Sequence, residues 1–89
     1  MPVKALTSDQ IRAARALVRW RAEDLARESA VGVATIRRAE LTERQTSMTA
    51  ANDLAVRRAL EFAGVEFIDE NGGGPGVRLG KAARDKSRK

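Results

Sequence analysis

The 89-residue sequence contains no cysteine, no histidine and no tyrosine. Without cysteine there is no disulfide framework and no thiolate to hold a metal or to act as a nucleophile. Without histidine the usual general base and the commonest zinc ligand are both missing. We therefore expect a protein that is not an enzyme and that carries no metal and no cofactor.

Large side chains are scarce as well. The aromatic residues are two phenylalanines and one tryptophan, whereas sixteen residues are alanine. A chain of this length is near the lower limit at which one hydrophobic core suffices, and small domains with thin cores often associate. We expect a single small domain that forms oligomers.

Long apolar runs are also lacking. The N-terminus has no apolar run of the kind found in signal peptides, and no stretch approaches the roughly 20 apolar residues that span a bilayer. These observations predict a soluble cytoplasmic protein without membrane contacts.

Positive charge is in excess but is unevenly distributed. The net charge is +5 and the pI is about 10.7. Residues 1–20 carry +3, residues 21–44 carry 0, residues 45–70 carry −3 and residues 71–89 carry +5. A basic chain favours a polyanionic partner. Residues 81–89 have no apolar periodicity, which predicts a basic, disordered tail.

Apolar residues recur at helical spacing in four segments, at about 8–19, 22–29, 33–41 and 49–63. Residues Thr7 to Asp9 can cap the first segment, and Gly64 suits the left-handed position that ends the fourth. The fourth segment is predicted to bury a wide apolar face that consists of Ala55, Val56, Ala59, Leu60, Phe62 and Ala63. The adjacent Arg57 and Arg58 are interpreted as its solvated surface.

The second and third segments are joined by the short link "AVG". If Ile36 is buried, Arg37 and Arg38 lie on the outward side of the third segment. The same outward side holds Ala34, Thr35 and Leu41, so small side chains there permit close approach to another surface. Glu23 and Asp24, in the first turn of the second segment, are interpreted as complementing the helix dipole.

Beyond Gly64 the periodicity changes to that of β-structure. The stretches "VEFI" and "GVRL" flank "DENGGGP", which predicts a hairpin over residues 65–80. Two short strands are not stable alone, and an exposed strand edge can pair with a second copy. We expect a two-fold homodimer formed partly by this segment, through Val65, Phe67, Ile68, Val77 and Leu79.

The stretches "IRAARALVRW", "AEDLARES", "VATIRRAE" and "RRALEFAGVEFI" follow one another in an order and spacing that resemble the Cro/C1-type (XRE family) helix-turn-helix regulators, in their small single-domain bacterial branch. The resemblance covers Leu6 to Leu79. It implies a mainly α fold, with a four-helix DNA-binding domain over residues 1–64 and a short C-terminal β-hairpin or strand pair at the dimer interface.

The resemblance also implies roles for individual residues. In this family the third helix lies in the major groove, and the second crosses the DNA backbone. The implied base-contacting residues are Gly32, Val33, Ala34, Thr35, Arg37 and Arg38. The implied backbone-contacting residues are Arg21, Ala22 and Arg44. The family often pairs an arginine of the first helix with a glutamate that ends the third, and here these positions hold Arg15 and Glu40.

Four positions depart from the family pattern, and one of them is Ala39, where the family often has a large apolar residue. The second helix starts at Arg21 and Ala22, where the family has a Ser or Asn cap followed by Gln. The turn glycine of the family is replaced by Ala30. These departures bear on affinity and on the geometry of the turn.

The function implied is that of a sequence-specific transcriptional regulator, which binds an inverted-repeat operator in double-stranded DNA as a homodimer and acts as a repressor. No small-molecule ligand is expected. The alternative is a protein-binding antitoxin or antiactivator that uses the same scaffold. The zero net charge of residues 21–44 and the available strand edge favour this alternative.

Overall fold

The computed structural model describes residues 5–42, 46, 48–69 and 72–80. Within them the chain forms four helices followed by two strands. These elements are α1 (Ser8–Val18), α2 (Ala22–Ser29), α3 (Val33–Leu41), α4 (Ala50–Phe62), β1 (Val65–Ile68) and β2 (Gly76–Leu79). The expected mainly α fold with a C-terminal strand pair is present. The predicted tail, 81–89, lies outside the described residues.

The helix ends follow from local capping. Thr7 accepts a hydrogen bond from the Gln10 backbone N–H, and the Gln10 side chain accepts one from the Thr7 backbone N–H, which is a capping box for α1. Thr49 caps α4 in the same position, by accepting from the Asn52 backbone N–H. Helices α2 and α3 have the predicted bounds, whereas α1 and α4 are slightly shorter because Arg19, Thr49 and Ala63 are cap residues.

Helix α2 begins at Ala22, and its N-cap residue, Arg21, has no side-chain oxygen to cap it. The Asp24 carboxylate instead accepts a hydrogen bond from the Arg21 backbone N–H, with an N–O distance of 2.9 Å. This bond, helped by Arg27 and Arg21, lowers the pKa of Asp24. Because the folded-state pKa is lowered, this contribution to stability is present above the ordinary pKa of the carboxyl and is lost as the pH falls through the lowered value.

One apolar core lies between the four helices and the hairpin. Its largest fully buried side chains are Leu6, Ile11, Leu25, Ile36, Val56, Leu60 and Val65. Helix α2 packs against both α3 and α4, and the hairpin packs against α1 and α4. No helix among the described residues has the length and apolar character that a membrane span requires. Helix α3 packs against α1 and α2 along one side, and its other side faces away from the core.

The two strands pair antiparallel, with Phe67 opposite Val77 and Glu66 opposite Arg78. Glu66 and Arg78 form an exposed ion pair with a 2.7 Å N–O distance. The buried Gln10 of α1 holds the loop end of the hairpin, because its side-chain nitrogen donates to the carbonyl oxygens of the paired residues Ile68 and Gly76 at 3.1 Å each. One side chain therefore ties the first turn of α1 to both strands.

The hairpin side chains expected at a dimer interface mostly face the chain's own core. Val65 is 2% exposed and has no surface left for another chain. Phe67, Val77 and Leu79 pack, partly buried, against the same core. Only half-buried Ile68 of this set lies outside that core. Packing within the single chain therefore explains the apolar character of Val65, Phe67, Val77 and Leu79.

Arg57 is not on the helix surface, contrary to the interpretation from sequence. It is 7% exposed, its guanidinium carbon lies 5.0 Å from the centre of the Phe67 ring, and its Nη2 lies 3.7 Å from a carboxylate oxygen of Asp69. The strand that follows α4 folds back over it, which helical periodicity does not reveal. Arg57 thereby joins α4 to β1, whereas its neighbour Arg58 is exposed.

Phe62 also differs from its prediction. It was assigned to the apolar face of α4 but is 82% exposed. It follows the buried Leu60 by two residues, and two residues turn an α-helix by roughly 200°. The predicted face was too wide, and Val56 and Leu60 form its buried part.

We predict that Arg57→Ala lowers the free energy of unfolding by about 1 to 3 kcal/mol, because it removes a cation over an aromatic ring and buried aliphatic contacts. The matched control, Arg58→Ala, should change it by no more than about 0.5 kcal/mol, since that side chain is exposed. Urea unfolding followed by circular dichroism measures both. Equal losses in the two variants would contradict the assigned role.

Candidate nucleic-acid interface

Helices α2 and α3 are joined by residues Ala30, Val31 and Gly32. Ala30 has φ 61°, so the left-handed step that usually requires glycine is made by alanine, at a cost of about 1 kcal/mol. Val31 is buried, and its backbone N–H donates to Ser29 Oγ at 3.2 Å. The link is thus anchored in the core and fixes the direction in which α3 leaves it.

Helix α3 has a buried side and an outward side. Ile36, Ala39 and Glu40 are buried, and Val33 is partly buried against the core. The outward side is formed by the exposed residues Ala34, Arg37, Arg38 and Leu41. We call these four residues the α3 stripe. Gly32, the N-cap, is exposed beside it, and Thr35 is half-buried.

Helix α1 holds the C-terminal end of α3 through three polar side chains. The Arg15 guanidinium donates to both carboxylate oxygens of Glu40, at 2.6 and 2.7 Å. Arg12 donates to the Glu40 carbonyl oxygen, and Ser8 Oγ donates to the Thr42 carbonyl oxygen at 2.5 Å. Arg15 also donates to the Trp20 carbonyl oxygen at 2.8 Å. The ion pair expected between Arg15 and Glu40 is therefore present in the structure.

The geometry of this ion pair accounts for its electrostatics. Glu40 is 7% exposed, and two parallel hydrogen bonds to a guanidinium satisfy its carboxylate. The hydrogen bond to Glu40 raises the pKa of Arg15 above its ordinary value, although partial burial acts in the opposite direction. The pair of opposite charges sets the position of α3 without adding net charge to the surface.

The two arginines of the α3 stripe have different surroundings. Arg37 donates to the carboxylate of Glu23, in the first turn of α2, and both side chains are about half exposed. The pKa of Glu23 is lowered, first by a hydrogen bond from its own backbone N–H and then by Arg37 and Arg21. Arg38 has no carboxylate partner among the residues that the structure describes.

The remaining carboxylates of α2 and α3 are paired as well. Asp24 lies 3.1 Å from Arg27 and 3.6 Å from Arg21, and Glu28 lies 3.7 Å from Arg27. Each carboxylate of α2 and α3 therefore has an arginine partner, and the partner of Glu40, Arg15, lies on α1. Within the described part of the chain, Arg38 is the cation on the α3 stripe that is left to meet an external acceptor.

The residues expected to approach the DNA backbone are placed differently from one another. The Arg21 side chain is 77% exposed at the start of α2. Ala22 is buried, so its side chain cannot make an external contact and only its backbone N–H, in the first turn, remains available. Arg44 lies outside the described residues.

One feature of this surface, the contact between Glu23 and Arg37, was not recognised from sequence. Glu23 was assigned to the helix dipole, but its carboxylate also binds Arg37. The opposite charges, fourteen positions apart, are visible in the sequence, but their contact depends on how α2 and α3 cross. Leu41, placed on the outward side, is 83% exposed and ends the α3 stripe with an apolar residue.

The chemistry of the α3 stripe is that of hydrogen-bond donation by a planar cation between small side chains. A guanidinium can donate two parallel hydrogen bonds to the O6 and N7 acceptors of guanine, and a small apolar group can contact a thymine methyl. The chain was compared with known protein families and with curated proteins, and it matches none of them. The proposal for its function therefore rests on the sequence and on this geometry.

We predict that Glu40→Gln lowers the free energy of unfolding by about 2 to 3 kcal/mol, because it leaves the Arg15 charge partly buried without its partner. The double variant Arg15→Met/Glu40→Leu should lose much less than the sum of the single changes Arg15→Met and Glu40→Leu, because no charge remains buried in it. Urea unfolding of the two single variants and the double variant measures the difference. An additive loss would show that the ion pair does not act as a unit.

Proposed function

We propose that this protein is a sequence-specific DNA-binding transcriptional regulator of the Cro/C1 helix-turn-helix type, with α3 as its recognition helix. The observation that supports this best is the α3 stripe: a helix anchored on one side by Ile36 and Glu40 projects Arg38 and small side chains outward. An α-helix fits the major groove, where base edges are distinguishable.

In this proposal the contacts divide into two kinds. Arg38 donates to a guanine edge, and Ala34 and the Thr35 methyl lie near thymine methyl groups. Arg21 and the first backbone N–H groups of α2 meet phosphates, which position the protein without reading sequence. The α1 contacts to the end of α3 keep the recognition helix at a constant depth in the groove.

The protein acts in this proposal as a homodimer on an inverted repeat, with half-sites about one helical turn, roughly 34 Å, apart. Val65, Phe67, Val77 and Leu79 pack in or against the chain's own core. The second copy therefore pairs with an exposed strand edge or contacts the outer face of the hairpin. Occupation of a promoter by such a dimer is sufficient to account for repression.

A second candidate is a protein-binding antitoxin or antiactivator. The exposed Leu41 and the pairing of most charges on α2 and α3 favour it, since apolar groups and low net charge suit a protein partner better than phosphates. A stoichiometric partner recovered with the purified protein, and lost in Leu41→Glu, would support this candidate over DNA binding.

The DNA hypothesis is tested by selection of a binding site from random duplexes, followed by fluorescence anisotropy on the selected and a scrambled duplex at about 50 to 200 mM salt. We predict that Arg38→Gln weakens binding to the selected duplex by about 1 to 3 kcal/mol, roughly 5- to 150-fold, and relaxes preference at one base pair.

The control is Arg58→Gln, which removes an exposed charge from α4 and should leave the preference unchanged. An equal loss for Arg38→Gln on both duplexes would show that this arginine contacts only phosphates. Failure of the wild type to select any site would contradict the proposed function itself.

A further inference from the structure

The contact between Glu23 and Arg37 links the two helices across the surface that is proposed to face DNA. Arg37 and Arg38 are consecutive, exposed and chemically identical, yet only Arg37 has a carboxylate partner among the described residues. A structural role for this pair is weak, because half-exposed ion pairs contribute little to stability. Its consequence for binding is larger, because it decides which arginine is available to the ligand.

We propose, on the basis of the proposed function, that Glu23 is a specificity-determining residue, which holds Arg37 against α2 and thereby restrains sequence-independent attraction to phosphates, while Arg38 reads the base edge.

Holding Arg37 against α2 reduces competition from non-cognate DNA. An arginine that is not held can reach a phosphate on any sequence, and each such contact raises non-specific affinity. A regulator must find its site among a large excess of other sequences, so the ratio of specific to non-specific affinity matters more than affinity alone. Neutralising Arg37 within the protein removes one sequence-independent contact.

The ion pair between Glu23 and Arg37 is favoured when DNA is nearby. The Glu23 carboxylate lies in the first turn of α2 and accepts a hydrogen bond from the Arg37 guanidinium, so each group neutralises the other. If Arg37 moved to a phosphate, Glu23 would be left as an uncompensated anion beside the DNA backbone. Keeping the contact avoids this repulsion.

Release of Arg37 from Glu23 affects specific and sequence-independent complexes with DNA differently. In a specific complex the contact of Arg38 with a base fixes the register of α3. In a sequence-independent complex the protein can shift until its free cations meet phosphates. An Arg37 released from Glu23 therefore strengthens the second kind of complex more than the first.

The test compares Glu23→Gln, Arg37→Gln and the double variant with Glu28→Gln. The last is a matched control, because it removes another exposed carboxylate of α2, near the opposite end of the helix, and changes the net charge equally. Binding to the selected and scrambled duplexes is measured across the salt series. Thermal unfolding of each variant excludes loss of folding.

We expect Glu23→Gln to raise affinity for the scrambled duplex about fivefold and to steepen the slope of log affinity against log salt by about one phosphate contact. Its affinity for the selected duplex should rise less than about twofold, so that the ratio falls. The double variant should return to the wild-type affinity for scrambled DNA. Glu28→Gln should change the slope little.

Three results would overturn the inference: no effect of Glu23→Gln, equal gains on both duplexes, or a changed base preference in Arg37→Gln, which would make Arg37 itself a reader. Failure of the proposed function is distinguishable from these, because the wild type would then select no site. In that case the scrambled-duplex measurements still show whether Glu23 restrains phosphate binding.

Discussion

The hold of α1 on the end of α3 is the constraint on which the candidate interface depends. Ser8, Arg12 and Arg15 lie at helical spacing on one side of α1, and all three donate to Glu40 or to Thr42. Because Glu40 is buried and doubly hydrogen-bonded, α3 cannot rotate without breaking a charge pair inside the protein. The side of α3 that faces outward is thereby set by contacts that no ligand needs to touch.

Charge pairing limits the number of unpaired cations on this outward side. The chain as a whole is basic, yet the carboxylates of α2 and α3 bind most of the arginines around them. A surface with many free cations would attract DNA of any sequence. A surface on which Arg38 is available and Arg37 is held by Glu23 combines modest attraction with a directed hydrogen-bond donor. In the proposed function, this arrangement lets a surface on which most charges are paired still bind a nucleic acid.

Local sequence patterns predicted most of the fold, and tertiary contacts account for what they missed. The bounds of α2 and α3 followed from periodicity around Leu25 and Ile36, and the contact between Arg15 and Glu40 followed from a family resemblance. The burial of Arg57 could not be predicted, because it depends on β1 folding back over α4. The Glu23–Arg37 contact depends likewise on the crossing of two helices, which helical spacing does not specify.

The most direct test of the account is a nuclear magnetic resonance titration of the ¹⁵N-labelled protein with its selected duplex, in which perturbed amide and arginine side-chain signals are mapped along the chain. If α3 is the recognition helix, the largest changes fall on the α3 stripe and on the first turn of α2, and the Arg38 guanidinium signal shifts most. Changes concentrated on α4 or on the hairpin, with the α3 stripe unaffected, would contradict the assignment of α3 as the recognition helix.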